Sequence, residues 1–445
     1  MSNPSLPYDP TDKDSIVIYA KHLVGKTLRQ TADIECIESP HVRRGSYGNA
    51  IEEHYFGYKP NSDSNPDFAE AGLELKVTPM KRASKGGLVA KERLVISMID
   101  YDEVVNESFE CSHFLKKASD VLLVTYLWEE EKDPLDYTIQ LVEEWKIPER
   151  DLPQIKQDWE TIVNKVRSGR AEDISGSDTM YLEACTKAAN SSVRRHQPFS
   201  DVPAKPRAWA FKASYMTVVE NGFIELAESI ARDTNERDLA LLDLVRSRFS
   251  KFFGLSEAEL AELFNLSKSK DLCARITKGI LGVSEDARIE EFEKAGIKPK
   301  TLRLRQSGRP KEALSFPTFD YFELELQNFE DSEFYEQLQQ KYLFVLFCED
   351  ADRVYRLCDV CFWQMPESDF PEAKRCYEQM RHNVRVGHAE LSVKSSENRC
   401  CHVRPHARDS SDVVPQPHGD PVVKKCFWLN QAYLQGEIAK ALESK

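Results

Sequence analysis

No apolar run in the 445-residue sequence approaches the roughly 18 residues that cross a bilayer, which excludes a membrane bundle. The opening MSNPSLPYDPTDKDS has neither a basic n-region nor an apolar h-region, so no secretory signal and a cytoplasmic location are expected. GxGxxG, P-loop and G-x-S-x-G patterns are absent, which leaves nucleotide-cofactor and serine-hydrolase chemistry without footing. Cysteine is present in eleven copies, an odd number, and in a chain expected to stay inside the cell these read as reduced thiols. Cys358 and Cys361 form a C-x-x-C, and Cys400, Cys401, His402, His406, His418 and Cys426 crowd the C-terminal end. No second C-x-x-C stands at ribbon spacing, so no zinc site is expected.

A hydrophobic content of 41% builds real cores and excludes a disordered chain, and at roughly 150 residues per domain the length suggests two or three domains. Lys and Arg total 60 against 74 Asp and Glu, a net charge of −14. That balance disfavours a protein that coats nucleic acid indiscriminately, but not one that binds specific sites through local basic patches.

Apolar spacing predicts helices over 14–24 and 47–58, the second ended by Gly57. The polar cluster 61–67 (NSDSNPD) predicts a turn, and the alternation of 72–78 (GLELKVT) a half-buried strand. Further strands are expected at 93–99 and 120–127, helices at 135–146 and 154–167, and an antiparallel pair over 207–219. A helical run over 223–264 carries the expected boundary, dividing the chain into 1–230 and 231–445. Beyond it, strands are predicted at 341–350 and 353–365, a polar loop over 392–424 and a final element at 426–440.

The second half reads as a worn copy of the first. DFAEAGLELKVTPM (67–80) lines up with EFEKAGIKPKTLRL (291–304), and FECSHF (109–114) with FEDSEF (329–334). CTKAANSS (185–192) lines up with RPHARDSS (404–411), and AWAFKASYM (208–216) resembles CFWLNQAYL (426–434) in character. Four matches in the same order, with offsets between 218 and 224, imply an internal duplication.

Asp67, Glu74 and Lys76 form the pattern P-D-x6-E-x-K. Asp67 ends a turn, and Glu74 and Lys76, two apart on a strand, share a face. Two converging carboxylates offer oxygen ligands to a hard cation such as Mg²⁺, and a neighbouring lysine can orient or help deprotonate a water. This is the minimal apparatus for hydrolysing a phosphate ester with metal assistance. A solvated strand face that happens to carry Glu and Lys fits the bare pattern as well.

The segment GNAIEEHYFG…PDFAEAGLELKVTP resembles the PD-(D/E)xK nucleases of the MutH mismatch-repair group, and among them the type II restriction endonucleases that cut duplex DNA at GATC. The similarity extends through 91–104, 109–117, 156–175, 181–192 and 205–217, and resumes at 396–406 and 426–434. It implies an α/β fold, a mixed sheet flanked by helices as in restriction endonucleases, present twice. It also implies Mg²⁺ as cofactor, with Asp67 and Glu74 as metal-binding acids, Lys76 as the catalytic lysine and Glu53 as a further acid on the upstream helix. Lys117, next to Lys116, matches a further active-site lysine, and TKAAN (186–190) a DNA-reading loop with Lys187 and Asn190 as contacts.

In the copy, Lys298 replaces Glu74, Pro299 replaces Leu75 and Glu291 replaces Asp67, while Lys300 keeps the place of Lys76. An ammonium where a cation must sit predicts a dead second site. Its altered loop, CHVRPHARDSS (401–411), retains Arg404 and His406 as donors to DNA. The expected protein therefore has an N-terminal catalytic half and a C-terminal effector half that binds a second DNA site, with looping between the two. A monomer and a dimer formed on DNA are both compatible with this.

The stretch 194–212 carries Arg194, Arg195, Lys205, Arg207 and Lys212 against one acid, Asp201, with Phe199, Trp209 and Phe211 interleaved, and is expected to contact phosphates. The loop 81–92 (KRASKGGLVAKE) reads equally as a DNA clamp or an ordinary surface loop. Two other readings are a mismatch-repair nickase awaiting a partner protein and a DNA-binding protein without catalysis. Length argues against the first, and the intact Asp67–Glu74–Lys76 set against the second.

Overall fold

The computed structural model describes residues 6–31, 47–59, 65–83, 86–188, 192–222, 227–267, 269 and 271–443. The chain forms two compact units: Met1–Ala227 with Glu293–Ala295, and Glu228–Phe292 with Gly296–Lys445. Among the described residues no helix is long and apolar enough to cross a membrane.

The first unit is built on strand β1 (Glu74–Arg82), which pairs antiparallel with β2 (Leu88–Ala90). On its other side β1 runs parallel to β4 (Val121–Leu127), and β4 pairs antiparallel with β5 (Thr138–Trp145), giving the order β2-β1-β4-β5. The run VLLVTYL of β4 is almost wholly buried, as expected of a strand covered on both faces. A smaller sheet sets β3 (Leu94–Met98) and β6 (Leu182–Thr186) on either side of β9 (Arg207–Phe211). Between β6 and β9 lies the hairpin of β7 (Arg195–Gln197) and β8 (Ser200–Ala204). Ile16 and Ala20 of the helix Lys13–Lys21 join Ile51, Phe56, Leu73, Leu75, Leu122 and Val124 in one core. With Leu73 and Leu75 anchored there, alternation turns Glu74 and Lys76 the other way.

Two sequence expectations for this unit fail. The stretch 135–146 is the strand β5, not a helix. Its buried residues Ile139, Val142 and Trp145 recur every third position like a helical stripe. A bulge causes this: Leu141 faces Thr125 and Ile139 faces Tyr126, so Gln140 is an extra residue that resets the alternation. Ile139 and Val142 then share one core, while Trp145 packs against Phe211 at 5.3 Å. The expected pair over 207–219 is β9 followed by the helix Ala213–Asn221, whose buried Tyr215, Met216, Val219 and Glu220 follow helical spacing.

In the second unit β10 (Ile297–Leu304) runs parallel to β12 (Lys341–Glu349), which pairs antiparallel with β13 (Tyr355–Trp363). A smaller sheet sets β11 (Leu314–Thr318) and β14 (Cys401–Pro405) on either side of β17 (Lys425–Leu429), and β15 (Val413–Val414) pairs with β16 (Val422–Val423). The helices Glu333–Gln339, Phe370–Arg385 and Gln431–Glu443 contribute Phe334, Tyr377 and Leu434 to its core. The stretch 392–424, expected to be loop, thus contains β14 and a short hairpin. Of the helical run expected over 223–264, Leu241–Ser250 and Glu257–Leu263 are α-helical; residues 223–226 lie outside the described residues.

The cysteines are not all reduced: Cys348 and Cys358 form a disulfide, with Cα atoms 5.8 Å apart. Leu357 faces Phe347 and Asp359 faces Leu346, so Cys358 is the extra residue of a bulge. Strand adjacency, invisible in a spacing of ten residues, brings the two sulfurs together.

Candidate active site

A tight loop sets the spacing of the acidic pair. Phe68 and Leu73 exchange backbone hydrogen bonds of 3.0 and 3.2 Å, closing a turn that Gly72 completes at φ +68°. That left-handed conformation suits glycine, because no Cβ crowds the backbone. The turn folds Asp67 back over the start of β1, where Asp67 Oδ2 accepts the Leu75 N–H at 3.0 Å and Glu74 Oε2 accepts the Asp67 N–H at 3.2 Å. The six intervening residues are thus the length of the loop that brings the two carboxylates together.

Lys76 follows on the same face, its Nζ 2.5 Å from Glu74 Oε1. A second ammonium arrives from the helix His113–Ala118, with Lys117 Nζ 3.5 Å from the same oxygen. Lys116 points elsewhere and donates to Asn65 Oδ1 at 2.8 Å. Of the two adjacent lysines, Lys117 therefore belongs to the cleft. These groups line a cleft of about 390 Å³ together with Asn49, Glu52, His113, Lys187 and Trp209.

The upstream acid differs from expectation. Glu53 is exposed and does not line the cleft; Glu52 does. The reason is local: Ile51–Tyr55 is a single π-turn, with the Phe56 N–H donating to the Ile51 carbonyl at 3.1 Å. Ile51 and Tyr55 are pinned in the core, which leaves Asn49 and Glu52 on the cleft side. Burial pushes the Glu52 carboxyl up to about 7, aided by the charge of Asp67 and opposed by Lys76. Burial also raises Asp67, followed by repulsion from Glu74, with Lys76 and Lys117 pulling the other way. Asp100, Glu103 and Glu107 rim the same cleft. Asp100 caps the helix Tyr101–Val104 and Glu107 pairs with His113, so sequence proximity to the motif gave no signal for any of them.

Six carboxylates (Glu52, Asp67, Glu74, Asp100, Glu103 and Glu107) thus face three lysines (Lys76, Lys117 and Lys187) in one cleft. The anionic donors of the cleft are carboxylate oxygens, which suit a hard cation. Among the described residues no group of three acids, histidines or cysteines is gathered tightly enough to hold a metal alone. A cation here would be held by two carboxylates, with water and substrate completing its shell.

The family model described as DNA mismatch repair enzyme MutH matches residues 56–158 and 283–372. The type II restriction enzyme Sau3AI of Staphylococcus aureus is 32% identical to the chain, over 97% of it and 99% of that enzyme. The chain belongs to the MutH-like family of type II restriction endonucleases. DNA mismatch repair protein MutH of Shewanella woodyi is 27% identical over 42% of the chain and 79% of its own length. The corresponding protein of Yersinia enterocolitica is 26% identical over 44% and 88%.

The residues of this restriction endonuclease expected to touch DNA fall into two groups. Lys187 is exposed and lines the cleft, and Arg194 and Arg195 are exposed at the β7–β8 hairpin. Asn190 lies outside the described residues. Arg207 and Lys212 are not surface groups. Arg207 is 8% exposed and its guanidinium donates to the carbonyls of Ala184, at 2.6 Å, and Ile174. Lys212 Nζ donates to the carbonyls of Gly176 and Thr179, both at 2.7 Å, and burial lowers its pKa. Both cations are internal cross-links, and their backbone acceptors leave no trace in a count of charged residues. In the second unit Arg404 and His406 are exposed and both lie against the Trp428 indole, the Arg404 guanidinium 3.7 Å and the His406 ring 5.3 Å from its ring centre.

Proposed function

We propose that this enzyme hydrolyses duplex DNA at GATC with Mg²⁺, leaving 5′-phosphate ends. The observation that carries the reading is the convergence of Asp67, Glu74, Lys76 and Lys117, from a loop, a strand and a helix, on one cleft. Asp67 and Glu74 would hold the cation, with Glu52 rather than Glu53 as the third acid beside it. Mg²⁺, when bound, polarises the scissile phosphodiester and offsets the charge that develops there. The excess of carboxylates over lysines supports this reading, since a DNA polyanion enters such a cleft only with added positive charge.

Lys76 sits where its amine can orient a water or accept a proton from it. As the water oxygen bonds to phosphorus, the P–O3′ bond breaks and the 3′ oxygen leaves with a proton. Lys117 supplies a second positive charge on the same side of Glu74. Lys187, with Arg194 and Arg195, contacts the duplex outside the reacting centre.

In the same reading the second half is a diverged copy that binds a second DNA site through Arg404 and His406. Paired details support a duplication. Tyr215 donates to Asp151 Oδ2 at 3.0 Å, and Tyr433 to Asp369 Oδ2 at 2.8 Å. The Ser112 hydroxyl caps the helix His113–Ala118 as the Ser332 hydroxyl caps Glu333–Gln339. Glu74 faces Val121 across β1 and β4, and Ile297 faces Lys341 across β10 and β12. This register favours Ile297, one residue before Lys298, as the counterpart of Glu74. Either alignment supports an inert copy, because β10 (IKPKTLRL) carries no acid and Glu291 is occupied by the Ile230 N–H at 3.1 Å.

Digestion of a sequenced plasmid with Mg²⁺, beside Glu74→Ala, tests the reading. Discrete double-strand cuts at GATC that vanish in the variant are expected. Nicks alone, or uncut plasmid of retarded mobility, would overturn it.

A further inference from the structure

The outer face of the small sheet in the second unit opens into a separate cleft of about 340 Å³. In β14, Cys401 and Val403 are buried in the core, so alternation turns His402 and Arg404 outward onto the wall of this cleft. Arg309, Lys311 and Arg399 complete a basic rim, against one acid, Glu312, among the described residues.

The floor is built. His402 and Asn430 are 9% and 7% exposed, and His402 Nδ1 lies 2.6 Å from Asn430 Oδ1. The Asn430 amide donates to the carbonyls of Asn398 and Arg399 at 2.7 and 3.0 Å, so its oxygen is the acceptor and His402 Nδ1 carries the proton. The Arg404 guanidinium carbon stands 3.7 Å over the centre of the Trp428 ring, a cation–π contact that restrains the side chain. Arg399 is neutralised by Asp369 at 2.5 Å. Arg309 bonds the neutral Gln431 at 3.2 Å, and Lys311 stands 5.2 Å over the Tyr355 ring. Arg309, Lys311 and Arg404 thus form no ion pair among the described residues, although acids outnumber bases in the sequence by 74 to 60.

The first unit holds a different arrangement at the same register. Glu183 occupies the second position of β6 as His402 does of β14, and Glu183 is neutralised by Arg93 at 3.1 Å. Where the first unit has an acid paired with a base, the second has a histidine beside cations that form no ion pair among the described residues. Like charges lining one cleft repel unless an anion joins them.

We propose that this cleft is a phosphate-binding site for DNA, with Arg309, Lys311 and Arg404 as its charged contacts. The inference rests on the reading of the second half as a DNA-binding copy, and locates its anchoring point. The phosphate is either an internal phosphodiester or the 5′-phosphate of a cut end, since both present the same oxygens to planar guanidinium donors.

The test is residue-resolved chemical footprinting of the full-length Glu74→Ala protein with Mg²⁺ and a short GATC duplex. Acetylation of Lys311 and phenylglyoxal modification of Arg309 and Arg404 are expected to fall severalfold on DNA addition and recover at high salt. Lys187, read in the same digest, reports whether the first unit has bound. Protection of Lys187 without protection of Lys311, Arg309 and Arg404 overturns the proposal. Equal protection by 5′-phosphate and 5′-hydroxyl duplexes assigns the internal phosphodiester, and protection by the 5′-phosphate duplex alone assigns the cut end. In the cleavage-competent protein, Arg309→Ala/Lys311→Ala is expected to lose the extra rate that a second site confers. A parent enzyme that cuts one-site and two-site DNA equally, yet shows the protection, would remove the effector reading and leave the phosphate site standing.

Discussion

Lys117 reaches Glu74 across 43 residues of sequence, its Nζ 3.5 Å from the carboxylate oxygen that also meets Lys76. Two lysines meeting one carboxylate that is 1% exposed hold its geometry. Truncating Glu74 leaves both lysines without this partner and, in the proposed reading, removes a metal ligand but no DNA contact. Glu74→Ala should therefore abolish cleavage while binding stays within a fewfold of the parent. Retained cutting in a gel assay would sink the assignment.

Lys76→Ala should lower the cleavage rate by roughly 10²–10⁴-fold, the range for losing a positioned proton-transfer group. Single-turnover rates at saturating Mg²⁺ measure this, and a loss below tenfold would move the water-handling role elsewhere.

Glu52→Gln and Glu53→Gln separate two neighbouring acids. Glu52 lines the cleft and Glu53 does not. The Glu52 variant should raise the Mg²⁺ concentration for half-maximal rate by roughly 10–100-fold, as loss of a supporting group around a metal does. The Glu53 variant should titrate like the parent. The reverse result would restore the assignment made from sequence.

Arg207→Ala should destabilise the fold by roughly 1–3 kcal/mol, because it strands the carbonyls that the guanidinium now satisfies. It should leave the salt dependence of DNA binding alone. Arg194→Ala/Arg195→Ala should do the opposite, lowering the slope of log K against log salt by about 2 with little change in stability. Urea unfolding and binding titrations at several salt concentrations distinguish the two.

Glu220 is 1% exposed, both its oxygens are buried without a hydrogen-bond partner, and burial pushes its pKa from 4.5 up to about 8. The folded protein therefore keeps it protonated at neutral pH while the unfolded chain ionises it. Stability from this group is full below pH 4.5 and is lost as pH rises towards 8. Glu220→Gln should flatten that part of the metal-free unfolding profile. An unchanged slope between pH 5 and 8 would show that Glu220 does not titrate in this way.

The acidic pair and Lys76 were legible in the sequence because one short loop and one strand carry all three, and alternation fixes a shared face over two residues. The strands with unbroken apolar runs, such as β4, were legible for the same local reason. Glu52 was not, because a π-turn displaces the helical face by a residue and its energy comes from Ile51 and Tyr55 in the core. The strand β5 has the sequence spacing of a helix because of the bulge at Gln140.

By itself, then, the sequence determined the family, the loop-and-strand motif and the apolar segments that become β1, β4 and β12. Only the tertiary structure decided which charged groups face a ligand. It buried Arg207 and Lys212 on backbone carbonyls, brought Lys117 to Glu74, joined Cys348 to Cys358 and left Arg404 on Trp428 without an ion-pair partner among the described residues. Each of these depends on contacts between distant segments, and a side chain's charge in the sequence does not reveal whether its partner is solvent, substrate or a carbonyl of its own fold.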